Sequence, residues 1–275
     1  MAAVNYRHAF HAGNFGDCVK HAVLVWLLRA LQRKPAPLFF LDTHAGVGCY
    51  ELDAVPAART GEWQKGIARL LDDPPPALAG YVSLVRSLGL YPGSPAIARA
   101  LLRPGDRMAC CELHPADAGT LRRHFAGDRQ VAVHHRDAWE AVGALLPPRE
   151  RRGLVLIDPP FEDPGEFAQL AQGLATGLQR FRTGVFAAWY PIKQRAPVRQ
   201  FLADLQQSSA RDIVTAELCL REPVDPARLN GCGMLVVNPP YRFEQEVPAI
   251  LAALLDRLGD REPGEAATVR RIVDE

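Results

Sequence analysis

Four short apolar runs, each followed closely by a carboxylate, constrain this chain most. They are Leu38–Asp42 (LFFLD), Met108–Glu112 (MACCE), Val131–His135 with Asp137 just beyond, and Gly153–Ile157 running into Asp158. Runs of this length, bounded by turn residues, read as strands buried on both faces, the habit of parallel sheets. Helical patterns separate them. Asp17–Leu31 reads as a helix with Asp17 as its N-cap. Ser94 as N-cap and Pro95 at the first helical position open PAIARALL. HPADAGTLRRHF and WEAVGALL follow the second and third runs. Further helices are expected near 164–180, 198–206 and 246–258, and strands at VFAAWY, DIVTAELCL, GMLVV and ATVRRIV. This alternation predicts an α/β fold with a doubly wound, mainly parallel sheet. Residues 53–93 break the rhythm with two helical patterns, TGEWQKGIARLL and LAGYVSLVRSLG, around DDPPP. A small helical insertion is expected there, within a single domain spanning 1–275.

With 275 residues, 48% of them hydrophobic, the chain can bury one large core. No apolar run reaches the ~20 residues of a membrane helix. The stretch MAAVNYRHAFHAGNFGD lacks a signal-peptide core, so a cytoplasmic protein is expected. Lys and Arg (32) nearly balance Asp and Glu (31), so a polyanionic partner would need a local basic patch. Arg7, His8, His11, Arg149, Arg151 and Arg152 are the expected ones. Cys18, Cys49, Cys110, Cys111, Cys219 and Cys232 form no CxxC and no zinc-finger spacing with His. Buried free thiols and no metal are expected, with Cys110 and Cys111 on opposite sheet faces. A monomer is expected.

Asp42-Thr43-His44-Ala45-Gly46-Val47-Gly48 ends a strand in a carboxylate and turns through glycines, which lets a ligand approach the backbone. A dinucleotide site would carry GxGxxG opening a helix directly. Here only GxG is present, so DxxxGxG fits the methyltransferase version of this turn. Glu112 is placed to take both hydroxyls of a ribose, and Asp137 to accept from an adenine amine. Each has an ordinary structural alternative, a strand-end acid and a helix N-cap.

Asp158-Pro159-Pro160-Phe161 carries the most specific chemistry. An amino nitrogen on an aromatic ring is a weak nucleophile because its lone pair is delocalised. Two acceptors on its two N–H groups, the Asp158 carboxylate and the Pro159 carbonyl, can orient it toward an electrophilic methyl. Two prolines stiffen the loop, and Phe161 offers a face for an extruded base. Asn238-Pro239-Pro240-Tyr241 fits the same pattern. It falls three strands later, and a structural role is expected for it. Tyr6-Arg7-His8-Ala9-Phe10-His11-Ala12-Gly13-Asn14 suits a segment lying over a nucleotide pocket, and Lys20 and His21 are placed to meet a cofactor carboxylate.

Along essentially its whole length the chain resembles the bacterial 23S rRNA adenine-N6-methyltransferase J family. The resemblance rests on YRHAFHAGN, LDTHAGVG, RTGEW, YPGSP, ELHP, RRGLVLIDPPF, WYP and GMLVVNPP. It implies a Rossmann-like class I methyltransferase fold, S-adenosylmethionine as cofactor and 23S ribosomal RNA as partner. It also implies cofactor contacts from His21, His44, Ser94, Glu112, Asp137 and Ala138. By the same resemblance Asp158 is catalytic and Tyr6 faces the target nucleotide. Two departures stand out: Ala138 where Gly follows Asp, and Phe161 where Tyr closes the DPP motif. A DNA adenine or protein amide methyltransferase would share this pocket chemistry, and a non-catalytic RNA-binding protein would share the fold.

Overall fold

A computed structural model describes residues 10–52, 60–163 and 165–275. Its strands are β1 (Phe39–Asp42), β2 (Cys49–Tyr50), β3 (Tyr91–Pro92), β4 (Arg107–Glu112), β5 (Val131–His135), β6 (Gly153–Ile157), β7 (Val185–Ile192), β8 (Ile213–Cys219), β9 (Gly231–Val237) and β10 (Ala266–Val273). Eight form one sheet in the order β10-β8-β9-β7-β6-β1-β4-β5, and β2 pairs with β3. The five strands β7-β6-β1-β4-β5 run parallel. β9 is antiparallel to both β7 and β8, and β10 is antiparallel to β8. The chain therefore starts at β1, moves out to β5 and returns to β6. That places a switch point between the carboxyl ends of β1 and β6, where α/β sheets open a crevice for ligands.

Ten described helices complete the fold: α1 (Phe15–Gln32), α2 (Glu62–Lys65), α3 (Ala68–Leu71), α4 (Pro76–Ser87), α5 (Ser94–Leu101), α6 (Pro115–His124), α7 (Ala138–Leu145), α8 (Glu166–Arg180), α9 (Arg195–Gln207) and α10 (Phe243–Leu258). Strand residues alternate between two cores. Phe40, Met108, Cys110, Leu154 and Leu156 pack under α1, α4 and α10. Phe39, Leu41, Ala109, Cys111, Val155 and Ile157 pack under α7, α8 and α9. Cys110 and Cys111 do lie on opposite faces. All six thiols are free, five of them buried.

Three local expectations need correction. The N-cap of α1 is Asn14, whose side chain accepts from Asp17 N–H at 2.9 Å. Asp17 lies inside the first turn, where its carboxylate accepts from Gly13 N–H and pairs with Lys20. Ser94 is the first residue of α5 and Gly93 the cap. The Ser94 side chain is buried, and its hydroxyl acts to lower the Asp42 pKa instead. TGEWQKGIARLL breaks at Gly66 into α2 and α3. A β-carbon there would sit 2.0 Å from the Gly13 carbonyl oxygen, so two backbones cross in contact. The small β2–β3 ribbon was not anticipated. It ties the Gly turn to the start of α5, with Gly93 N–H donating to Gly48 O at 2.8 Å.

Candidate active site

The carboxyl edge of the sheet gathers the chemistry. Asp42 ends β1, Glu112 ends β4 and Asp158 follows β6, with Asp137 just past β5. The Gly turn is fastened across this edge. Ala45 N–H donates to Cys111 O at 2.9 Å, and Gly46 N–H to Glu112 Oε2 at 2.9 Å. Gly46 and Gly48 have φ of +60° and +92°, a backbone that side-chain-bearing residues rarely adopt. Glu112 Oε1 takes His114 N–H at 2.7 Å, so each oxygen holds one backbone donor and keeps further lone pairs. Burial raises the Glu112 pKa, against the lowering pull of those two N–H groups.

Asp158 is held from two sides. Lys20 Nζ lies 2.5 Å from its Oδ2 and 2.8 Å from Asp17 Oδ1, with Lys20 only 5% exposed. Burial works against the ammonium, yet the two carboxylates win and its pKa stands well above the usual lysine range. Asp158 N–H donates to His44 Nδ1 at 3.3 Å. His44 packs edge-on against Trp139, and burial pushes its pKa down to about 4 despite the carboxylates of Asp158 and Asp137. It is a neutral imidazole that supports the loop. Among the described residues no hydrogen bond falls on Asp158 Oδ1.

Beyond Asp158, Pro159 is buried and Phe161 takes φ +53°, strained for a bulky residue. Its ring packs on Phe167 (4.9 Å between centroids) and Trp189 (6.0 Å). The Glu166 carboxylate accepts from Asp163 N–H at 2.9 Å, which ties the loop to the start of α8, and the N–H groups of Phe161 and Glu162 also act to lower its pKa. Asp137 caps α7, its Oδ1 accepting from Trp139 N–H (2.9 Å) and Glu140 N–H (3.1 Å), and Ala138 is the buried first residue of that helix.

His44, Ser94, Glu112, Asp137 and Ala138 thus converge with Asp158. His21 reaches this group indirectly. It is fully buried, with Nδ1 3.0 Å from Tyr91 Oη and its ring against Tyr81. Tyr6, Arg7 and His8 lie outside the described residues. Lys20 faces Asp158 rather than standing free for a cofactor carboxylate. Arg149, Arg151 and Arg152 lead into the amino end of β6, roughly 17 Å from Asp158 at about 3.3 Å per strand residue. They do not flank the pocket. Asn238 sits at the same far edge, because β9 runs antiparallel to β7. Its side chain donates to the carbonyls of Arg182 (2.9 Å) and Gly184 (2.7 Å), closing the turn into β7.

Asp42 and Glu166 were not named as site residues. Asp42 is fully buried, and its Oδ2 has no hydrogen-bond partner among the described residues. Burial, opposed by the Ser94 hydroxyl and the Lys20 charge, pushes its pKa up to about 7. The signal for Lys20 was available: two opposite charges three residues apart within the apolar helix DCVKHAVLVWLL imply a buried pair.

The model of the family described as "Ribosomal RNA large subunit methyltransferase D, RlmJ" matches residues 35–272. The chain belongs to this family. It is 41% identical to "Ribosomal RNA large subunit methyltransferase J" of Escherichia coli (strain K12), over 99% of this chain and 100% of that one. It is 40% identical to the protein of the same name from Haemophilus influenzae, over 93% and 94% of the two chains. The crystal structure of a Legionella pneumophila protein of the DUF519 family superposes with a TM-score of 0.86 at 34% identity, covering 95% of this chain and 98% of that one. Membership in the RlmJ family agrees with the sheet order and with DPPF at the switch point. Among the described residues no helix is long and apolar enough to cross a membrane, and no group of His, Cys, Asp and Glu has the makings of a metal site.

Proposed function

We propose that this chain uses S-adenosylmethionine to methylate the N6 amino group of an adenine in 23S ribosomal RNA, acting in the cytoplasm as a monomer. The observation that carries this reading is the placement of Asp158-Pro159-Pro160-Phe161 at the switch point, beside the Gly turn and the strand-end carboxylates. Family membership favours ribosomal RNA over DNA or a protein amide.

The residues fit the cofactor. The partnerless Oδ2 of buried Asp42 suits its ammonium group. Glu112 has lone pairs left for the ribose diol, and Asp137 with Ala138 at the start of α7 suits the adenine. His21, His44 and Ser94 complete the wall by family resemblance. When bound, S-adenosylmethionine supplies a methyl group on a sulfonium.

The protein's own part is positional. Asp158 Oδ1 and the Pro159 carbonyl accept the two N–H groups of the adenine amine and turn its lone pair outward. Lys20 holds the other oxygen, Oδ2, so the carboxylate cannot swing. As the nitrogen becomes cationic, Asp158 accepts the proton it loses and passes it to solvent. Lys20, already protonated, cannot take it. Phe161, braced by Phe167 and Trp189, walls the base. Tyr6 meets the target nucleotide from the amino-terminal segment.

The test is direct. Large-subunit RNA from cells lacking the protein should contain one N6-methyladenosine fewer per molecule than RNA from cells expressing it. Unchanged nucleoside content, or a change confined to DNA, would reject the reading.

Asp42 adds a pH signature. Its folded pKa of about 7 exceeds its ordinary 3.8. Between those values the folded state binds more protons, so ligand-free stability falls as pH rises through the window. A cofactor ammonium needs the ionised form. Affinity should therefore rise roughly tenfold per pH unit below 7, and fall again above pH ~8 as a free α-amine loses its proton. Calorimetry from pH 5.5 to 8.5 should show this bell. Asp42→Asn should bind weakly and lose the acid limb; a variant with the wild-type bell would remove Asp42 from the site.

A further inference from the structure

The site edge repels a polyanion. Asp42, Glu112, Asp137 and Asp158 stand together there, and Lys20 is a buried cation already shared between two carboxylates. RNA brought to this edge needs cations beside it. Four arginines near the starts of β4 and β6 are engaged. Arg103 pairs with Asp106, Arg107 and Arg149 pair with Glu150, and Arg152 bonds the carbonyls of Leu31 and Ala36.

One surface differs. β5 is one of the sheet's two edge strands, half-exposed where β1, β6, β8 and β9 are buried throughout. From 122 to 136 the chain carries Arg122, Arg123, Arg129 and Arg136 with three histidines, and a single acid, Asp128. Arg99 already neutralises Asp128. Among the described residues Arg122, Arg129 and Arg136 enter no ion pair, and Arg122 and Arg129 are exposed. Burial together with the charges of Arg136 and Arg122 lowers the His134 pKa, so both guanidinium groups bear on one imidazole. The strip is continuous with the site. Arg136 N–H donates to Glu112 O at 3.1 Å, and Asp137 follows it. From there it runs back along β5 to Arg129, roughly 20 Å at about 3.3 Å per residue.

We infer that this surface, formed by β5 and the end of α6, grips the phosphate backbone of the RNA that flanks the target adenine. The inference rests on the RNA methyltransferase reading above. Guarding an edge strand against pairing calls for charge of either sign. Unpaired arginines of one sign, beside an acidic pocket, are what a polyanion calls for.

The test is Arg122→Gln/Arg129→Gln, both exposed and outside the cofactor wall. Its Kd for an rRNA fragment bearing the substrate adenine should rise about tenfold at low salt. The slope of log affinity against log salt should become shallower by about 0.7 per lost contact. The loss should fall on KM for RNA, with kcat at saturating RNA and cofactor affinity retained. Arg149→Gln/Arg151→Gln, which precede β6 three strands away from β5, should change none of these. An unaltered Kd and slope in the first pair, or equal losses in both pairs, would overturn the surface. A wild-type protein that methylates no RNA would instead overturn the functional reading, and the surface with it.

Discussion

Asp158→Ala should abolish methyl transfer while leaving cofactor affinity within about threefold, because the carboxylate orients the amine and its contribution belongs to the transition state. Asp158→Asn keeps the shape but offers a neutral acceptor. Its rate should fall by about 10²–10³, the usual effect of losing one preorganised group. Asn238→Ala is the internal control, since Asn238 heads the same kind of motif. It should leave the chemical step intact and lower stability by about 1–3 kcal/mol, because the Arg182 and Gly184 carbonyls lose their donor. Single-turnover transfer to an rRNA fragment, with unfolding curves for each variant, measures all three. A folded but inactive Asn238→Ala beside an active Asp158→Ala would invert the assignment.

The second large effect lies at Lys20, where folding and chemistry share one residue. Lys20→Met keeps the side-chain volume and removes the charge that bridges Asp17 and Asp158. Two carboxylates in a nearly closed setting then face each other unneutralised. Breaking a buried pair from one side costs about 3–5 kcal/mol. Turnover should also fall, since Asp158 loses the ammonium that fixes Oδ2. Adding Asp17→Asn removes one of the stranded charges and should recover part of the stability but not the turnover. Urea unfolding alongside single-turnover kinetics separates these. A Lys20→Met protein within about 1 kcal/mol of wild type and fully active would mean that the ion pair does neither job.

The sheet was legible because its information is local. LFFL, MACC and GLVLI are apolar at every position, which only a strand covered on both faces tolerates, and the acids after them had to emerge at one edge. Strand count alone set Asp158 apart from Asn238 in the sequence. The antiparallel course of β9 then gave the reason, since it carries Asn238 to the far edge. Helix starts were less legible. Asn14, Asp17, Gly93 and Ser94 are all acceptable caps, and the choice among them was made by other groups, Lys20 one turn along the helix for Asp17 and the distant Asp42 for Ser94.

By itself the sequence determined the strand order of the candidate site: the Gly turn, then Glu112, Asp137 and DPPF. Tertiary structure alone decided which charges meet. Lys20 reaches Asp158 across 138 positions, Arg149 and Arg152 fall at the wrong edge, and Asp42 is sealed with one oxygen unanswered. Spacing along a strand or helix sets which face a side chain occupies. Partnership between charges is set by the separation of elements that only the packed sheet brings together, and by the burial that makes an unpaired charge costly.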